Sequence, residues 1–86
     1  MKIKYFVYIL RNGNDKVYTG YTIDLENRLN QHNDSLSGFT SGKGPWELVW
    51  YCAFDDKDIA QSFEKYLKTG SGIAFSRKRL FKYQVK

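Results

Sequence analysis

The sequence has one cysteine and one histidine, no internal repeat, no low-complexity tract and no apolar run approaching the length of a bilayer span. Cys52 therefore forms no internal disulfide and finds no second cysteine for a zinc knuckle. Flanked by Tyr51 and Ala53 in a β-like run, it reads as a buried thiol. The opening MKIKYFVYIL already has the character of a strand and lacks the pattern of a signal peptide, which predicts a cytoplasmic protein without membrane association. Acidic residues are in the minority, 9 against 14 Lys and Arg, and the net charge of +5 with a pI near 9.4 favours an anionic partner such as nucleic acid. Hydrophobic residues make up 42% and aromatics 17%, which argues against intrinsic disorder. The expectation is one domain over residues 1–86, its bulky rings compensating for a size at which roughly 60% of the unfolded surface is buried.

What is present is concentrated between Phe6 and Thr22, FVYILRNGNDKVYTGYT. Two runs rich in Tyr, Val, Ile and Thr flank an Asn12-Gly13-Asn14-Asp15 segment, the strongest local signal for a β-hairpin. A loop centred on Gly13 places Tyr8 opposite Tyr18, both phenols on one face of the sheet. Gly20 shares their parity, and a glycine inside a strand implies either a bulge or a close approach by another group.

Asp24 is a suitable N-cap for a first helix from Leu25 to Asn33, with Leu25, Leu29 and His32 on related faces. The following DSLSGFTSGKGP reads as a surface loop. Its Gly38-Phe39-Thr40-Ser41-Gly42-Lys43-Gly44 superficially suggests a phosphate loop, but the glycines stand one residue too close and Gly44 occupies the place of the magnesium-binding Ser or Thr, so a Walker site is rejected. Trp46 to Phe54, WELVWYCAF, reads as a third strand. Ile59, Phe63, Tyr66 and Leu67 recur at helical spacing, predicting a second helix from about Asp58 to Thr69-Gly70 with Asp56 or Asp58 at its start. Ser71-Gly72 reads as a break before a third helix, Ile73 to Tyr83. The order is β-β-α-β-α-α, an α/β (α+β) fold with a small three-stranded antiparallel sheet flanked by three helices.

Several residues in this frame could carry chemistry, each with an ordinary alternative. Arg28 and His32, four apart on one helical face, suit a shared anion, although a single helical Arg is commonly a solvated charge. His32 has the one side chain with an unperturbed pKa close to neutrality. Glu64 is either an ion-pair partner of Lys68, four residues on, or a hard carboxylate ligand for Mg²⁺ or Mn²⁺. Tyr8 and Tyr18 are either half-buried sheet aromatics or phenols brought into use by a neighbouring cation or by relay to His32.

Taken in order, Phe6-Val7-Tyr8, Tyr18-Thr19-Gly20, Arg28, His32 and Glu64 resemble the GIY-YIG nuclease family, and the similarity extends through TSGKGPWELVWYCAF and Ala60 to Glu64. The pattern is similar to the N-terminal nuclease domain of excinuclease C and to structure-specific endonuclease domains, and the length to small stand-alone bacterial members. Phe6 stands where the family name has Gly. Ser76 falls where many members carry an Asn, and keeps a hydroxyl for phosphate positioning. The resemblance implies a metal-dependent endonuclease hydrolysing DNA, branched or damaged DNA included, in repair or recombination. Tyr8, Tyr18, Arg28, His32 and Glu64 would then be catalytic, Gly20 structural at the site, and Glu64 the ligand of one Mg²⁺ or Mn²⁺. Binding would fall to Lys43, Lys68, Arg77, Lys78, Arg79 and Lys82. Two alternatives stay open: a non-catalytic nucleic-acid-binding module with the same fold, and a domain acting through a protein partner.

Overall fold

The computed structural model describes residues 4–34 and 43–82. Its elements run β1 (Tyr5–Asn12), β2 (Val17–Thr22), α1 (Leu25–Asn33), β3 (Trp46–Phe54), α2 (Lys57–Leu67) and α3 (Gly70–Arg79), in the β-β-α-β-α-α order expected of the sequence. The strands form one antiparallel sheet of order β2-β1-β3. The first strand is thus central, with both neighbours hydrogen-bonded to it.

Because side chains alternate along a strand, β1 serves two cores at once. Val7 and Ile9 point to one face and pack with Ala60 and Leu67 of α2, against Phe63, Trp50 and Phe54. Tyr8 and Leu10 point to the other and pack with Trp46, against Leu25 and Leu29 of α1. A bulge in β3 sets Trp50 opposite Ile9 but Leu48 opposite Leu10. Both Val49 and Trp50 then reach the α2 face. No helix among the described residues is long and apolar enough to cross a membrane.

The hairpin register differs from the expected one. Asn12 N donates to Lys16 O at 3.0 Å and Asp15 N to Asn12 O at 3.1 Å, with Asp15 in the left-handed region at φ 59°. The Asn12 carboxamide oxygen also accepts from the Asn14 and Lys16 amides, at 3.0 and 2.9 Å. This is a three-residue loop ending in a left-handed residue, centred on Asn14 instead of Gly13. Tyr8 consequently pairs with Gly20, and Tyr18 with Leu10. The displacement is two residues, which preserves parity, so both phenols still share a face.

Each helix start carries a side-chain cap. Asp24 accepts from Asn27 N at 3.2 Å, Asp56 from Ile59 N at 2.9 Å and Thr69 Oγ1 from Gly72 N at 3.1 Å. The last moves the start of α3 from the expected Ile73 to Gly70, so Ser71-Gly72 lies inside the helix and is no break. The expected end at Tyr83, and most of the loop after Asn33, lie outside the described residues. On α2 the inward stripe is Ala60, Phe63 and Leu67, while Ile59 and Tyr66 are exposed. Cys52 is only half-buried, and burial raises its thiol pKa.

Gly72 answers to a steric demand. A Cβ there would stand 1.9 Å from Tyr66 O and 2.6 Å from Leu67 Cα, backbone atoms of α2 that have no room to give. At Gly70 nothing lies within 4 Å of the same atom. Gly72→Ala should therefore destabilise the fold by about 3 kcal/mol through overpacking. Gly70→Ala should be neutral, or stabilising by up to about 1 kcal/mol. Urea unfolding of the two variants checks the contrast.

Candidate active site

The site grows from the hydrogen of Gly20. A Cβ at this position would lie 2.4 Å from Tyr8 Oη and 2.5 Å from Tyr8 Cζ, so the phenol ring lies directly across the glycine backbone of the neighbouring strand. The group whose approach the glycine permits is Tyr8 itself. With its ring folded over β2, Tyr8 is 1% exposed, and its hydroxyl is 2.8 Å from His32 Nε2.

His32 arrives from α1, which covers this face of the sheet. Its position is set by the next residue: Asn33 Oδ1 accepts from Trp46 N at 2.6 Å and Asn33 Nδ2 donates to Trp46 O at 3.2 Å. This pair of bonds clips the end of α1 to the start of β3. Tyr18 completes a triangle of rings, with centroids 6.3 Å from Tyr8 and 4.9 Å from His32, and 5.7 Å between Tyr8 and His32. One turn before His32, Arg28 stands beside the phenols, and its interaction with them, Tyr8 foremost, raises its own pKa. Its Nη1 also donates to Gln31 Oε1 at 2.9 Å.

Burial pushes the Tyr8 phenol up to about 12; the Arg28 hydrogen bond and charge oppose this, and the charges of Tyr18 and Glu64 add to it. Burial, with a smaller contribution from the Arg28 charge, pushes His32 down to about 4. Near neutral pH both groups are uncharged. Arg28 has only donors to offer, so of these two neighbours it is His32 Nε2, 2.8 Å away, that can accept the phenol hydrogen.

Glu64 stands on α2 with its side chain 17% exposed, and its charge is felt at Tyr8. Its Oε2 is 2.6 Å from Lys68 Nζ, so the ion pair expected at this spacing is present. Among the described residues no group of three or more His, Cys, Asp or Glu could hold a metal ion. A hard divalent cation can take a single carboxylate and fill its other positions with water and phosphate oxygens. A lone carboxylate that already holds one cation, the lysine ammonium, has the donor chemistry for that arrangement.

The structure thus brings Tyr8, Tyr18, Gly20, Arg28 and His32 together, with Glu64 within electrostatic reach. Ser76 is elsewhere. Its buried hydroxyl donates to Gly72 O at 2.9 Å, beside Ile9, Val17 and Thr19 on the face of the sheet opposite the phenols. Of the basic residues, Lys68 and Arg77 line a cleft of about 330 Å³ together with Tyr18 and Thr19. Lys78, Arg79 and Lys82 are exposed at and beyond the end of α3, and exposed Lys43 lies by the hairpin turn, its carbonyl accepting from Asn12 Nδ2 at 3.0 Å. Two supporting residues, Asn12 and Asn33, carry no site signal in the sequence. Asn12 is visible there as a turn residue, whereas the Asn33 partner is distant along the chain and leaves no local trace.

The GIY-YIG catalytic domain family matches residues 4–76. A UPF0213 protein of Vibrio campbellii is 39% identical over 66 residues, covering 76% of this chain and 64% of that protein. A second, of Clostridium perfringens, is 42% identical over 64 residues, covering 73% and 69%. Among solved structures, the solution structure of a UPF0213 protein from Bacillus halodurans aligns with a TM-score of 0.56 and 30% identity over 88% of this chain and 85% of that one.

The buried histidine makes stability depend on pH in a defined window. Unfolded, His32 titrates near its ordinary 6.5; folded, near 4, so between these values the unfolded chain binds more protons. Its contribution is fully present above about pH 6.5 and is lost as pH falls towards 4, over a span on the order of 3 kcal/mol. His32→Gln should flatten this slope relative to wild type. Denaturant unfolding of both proteins from pH 4 to 7 checks it.

Proposed function

We propose a nuclease function from one premise, that the chain belongs to the GIY-YIG family: it hydrolyses phosphodiester bonds in DNA, with branched or damaged duplexes, as met in repair or recombination, the first substrates to test. The observation that carries the reading is the buried 2.8 Å hydrogen bond between Tyr8 and His32, with Arg28 on the same phenol. An isolated phenol with a pKa near 12 is no base at neutral pH. A phenol already bonded to a neutral imidazole can nevertheless relay a proton.

As the attacking water loses its proton to Tyr8 Oη, the phenol proton passes to His32 Nε2, and no free phenolate forms. The low His32 pKa keeps that nitrogen available at every pH above about 5. Tyr18, ringed against both, holds the orientation of the pair. Arg28 has five N–H donors, which its contacts with the phenols and Gln31 do not exhaust, and it stabilises negative charge developing on the phosphoryl oxygens. Glu64 would hold one Mg²⁺ or Mn²⁺, which when bound supplies a Lewis acid at the phosphate. Lys68 and Arg77, in the cleft beside Tyr18, contact flanking phosphates, and the basic end of α3 extends that surface.

The test is cleavage of supercoiled plasmid, flap, four-way junction and single-stranded DNA, with Mg²⁺ or Mn²⁺ and with chelator. Metal-dependent product is expected from wild type. Glu64→Ala should abolish it with the fold intact, and Tyr8→Phe should lower kcat by about 10²-fold or more, since the relay is broken. Full activity in Glu64→Ala would overturn the metal-ligand role. Salt-sensitive DNA binding by an uncleaving wild type would favour a binding module.

A further inference from the structure

The bond between Lys68 and Glu64 joins two groups to which the proposed reaction assigns separate partners. We infer that Lys68 is a reversible occupant of Glu64: it yields the carboxylate to the divalent cation and transfers to a phosphate oxygen of the nucleic acid in the adjoining cleft, so that each ligand favours the other. This rests on the nuclease reading above and specifies how its site is loaded.

Three features carry it. First, the pair is asymmetric, the Glu64 side chain being 17% exposed and that of Lys68 51%. The carboxylate is the more buried member. The ammonium is half in solvent, on a flexible stem that can turn without moving the helix. Second, the Lys68 backbone is fixed as the C-cap of α2, its N–H donating to Lys65 O at 3.1 Å, so exchange requires side-chain rotation alone. Third, a destination exists: Lys68 itself lines the cleft of about 330 Å³ that also presents Tyr18, Thr19 and Arg77. Two cations beside an open cleft make a setting for phosphate.

Charge balance supplies the coupling. Glu64 and Lys68 together are neutral, and a divalent cation added to the intact pair would meet an ammonium 2.6 Å from its ligand. A phosphodiester that accepts the lysine removes this repulsion, and a cation that takes Glu64 frees the lysine for the phosphodiester. Partly exposed ion pairs hold weakly, so the competition is worth a factor of about five, small enough to be reversed on binding. By linkage, the same factor appears in both affinities.

Mn²⁺ alone, titrated by electron paramagnetic resonance without DNA, tests the competition. Lys68→Met should bind Mn²⁺ about fivefold more tightly than wild type. Lys65→Met removes the same charge from an exposed position on the same helix and should stay within twofold. A labelled duplex, followed by anisotropy with and without Mn²⁺ in a Tyr8→Phe background that slows turnover, and read before product accumulates, tests the coupling. The Mn²⁺-induced gain in DNA affinity should fall by about the same factor in Lys68→Met, and Lys68→Arg should restore it. Equal Mn²⁺ affinity in the two Met variants, or an unchanged coupling, would overturn the role of Lys68. Glu64→Gln separates the levels: Mn²⁺ binding undiminished in this variant overturns the metal-ligand assignment itself, whereas its loss, with Lys68→Met no tighter, overturns only the exchange.

Discussion

The hydrogen bond between Tyr8 Oη and His32 Nε2 sets the conditions that the surrounding chain meets. Two polar groups are withdrawn from water here, and either one left unpaired would cost about 1–3 kcal/mol. They satisfy one another only if a large ring passes over a neighbouring strand and a helix residue is held in register with it. Gly20 meets the first condition by having no side chain. The Asp24 cap at one end of α1 and the Asn33 clip to Trp46 at the other meet the second. Among the described residues no buried side-chain nitrogen or oxygen lacks a partner. Such a network tolerates little displacement, because a partly satisfied polar core is worse than an apolar one.

Arg28 acts on this pair in two opposed ways. Its hydrogen bond and charge favour the phenolate of Tyr8, while the same charge disfavours the imidazolium of His32. In the proposed relay the phenol regains a proton from water as it gives one to the imidazole, so the imidazolium is the ion left in the pair, and a bare Arg28 opposes it. A phosphate drawn to Arg28 changes the balance, since its negative charge stabilises an imidazolium that the bare guanidinium opposes. The resting neutrality of the site is therefore compatible with the proton relay proposed for it.

Strand and helix identities were legible because they rest on local chemistry. The β-type runs, the Asp24 cap and the WELVWYCAF strand are each contained within a few residues, and α1 and β3 coincide with their expected bounds. Parity was legible too, which is why Tyr8 and Tyr18 were placed on one face even though the register was two residues out. The register itself depended on which loop geometry Asn12 would select, and that follows from its carboxamide bonds to Asn14 and Lys16, not from the Asn-Gly pair alone. The start of α3 was hidden for a different reason. Gly70 and Gly72 argue against a helix by propensity, but close packing against Tyr66 and Leu67 requires the second of them, and the Thr69 cap offsets part of their cost. The surroundings of Ser76 were likewise not legible from its position in the sequence. Its hydroxyl back-bonds to Gly72 within the helix, on the face away from the phenols.

In a chain of 86 residues the core and the site draw on the same strand. β1 presents Val7 and Ile9 to one layer and Tyr8 and Leu10 to the other, so the residue at the centre of the candidate chemistry is also among the largest fully buried side chains. Changes at Tyr8 or His32 must therefore disturb stability and chemistry together. Glu64 and Lys68 sit on the margin of the same assembly, at the end of α2 where side chains are partly in solvent. There a charge can be exchanged without repacking anything. The groups proposed to move the proton are buried, where their geometry is held, and those proposed to handle ions are at the edge, where binding can change it; α2 joins the two by packing Ala60 and Leu67 inward while carrying Glu64 beside them.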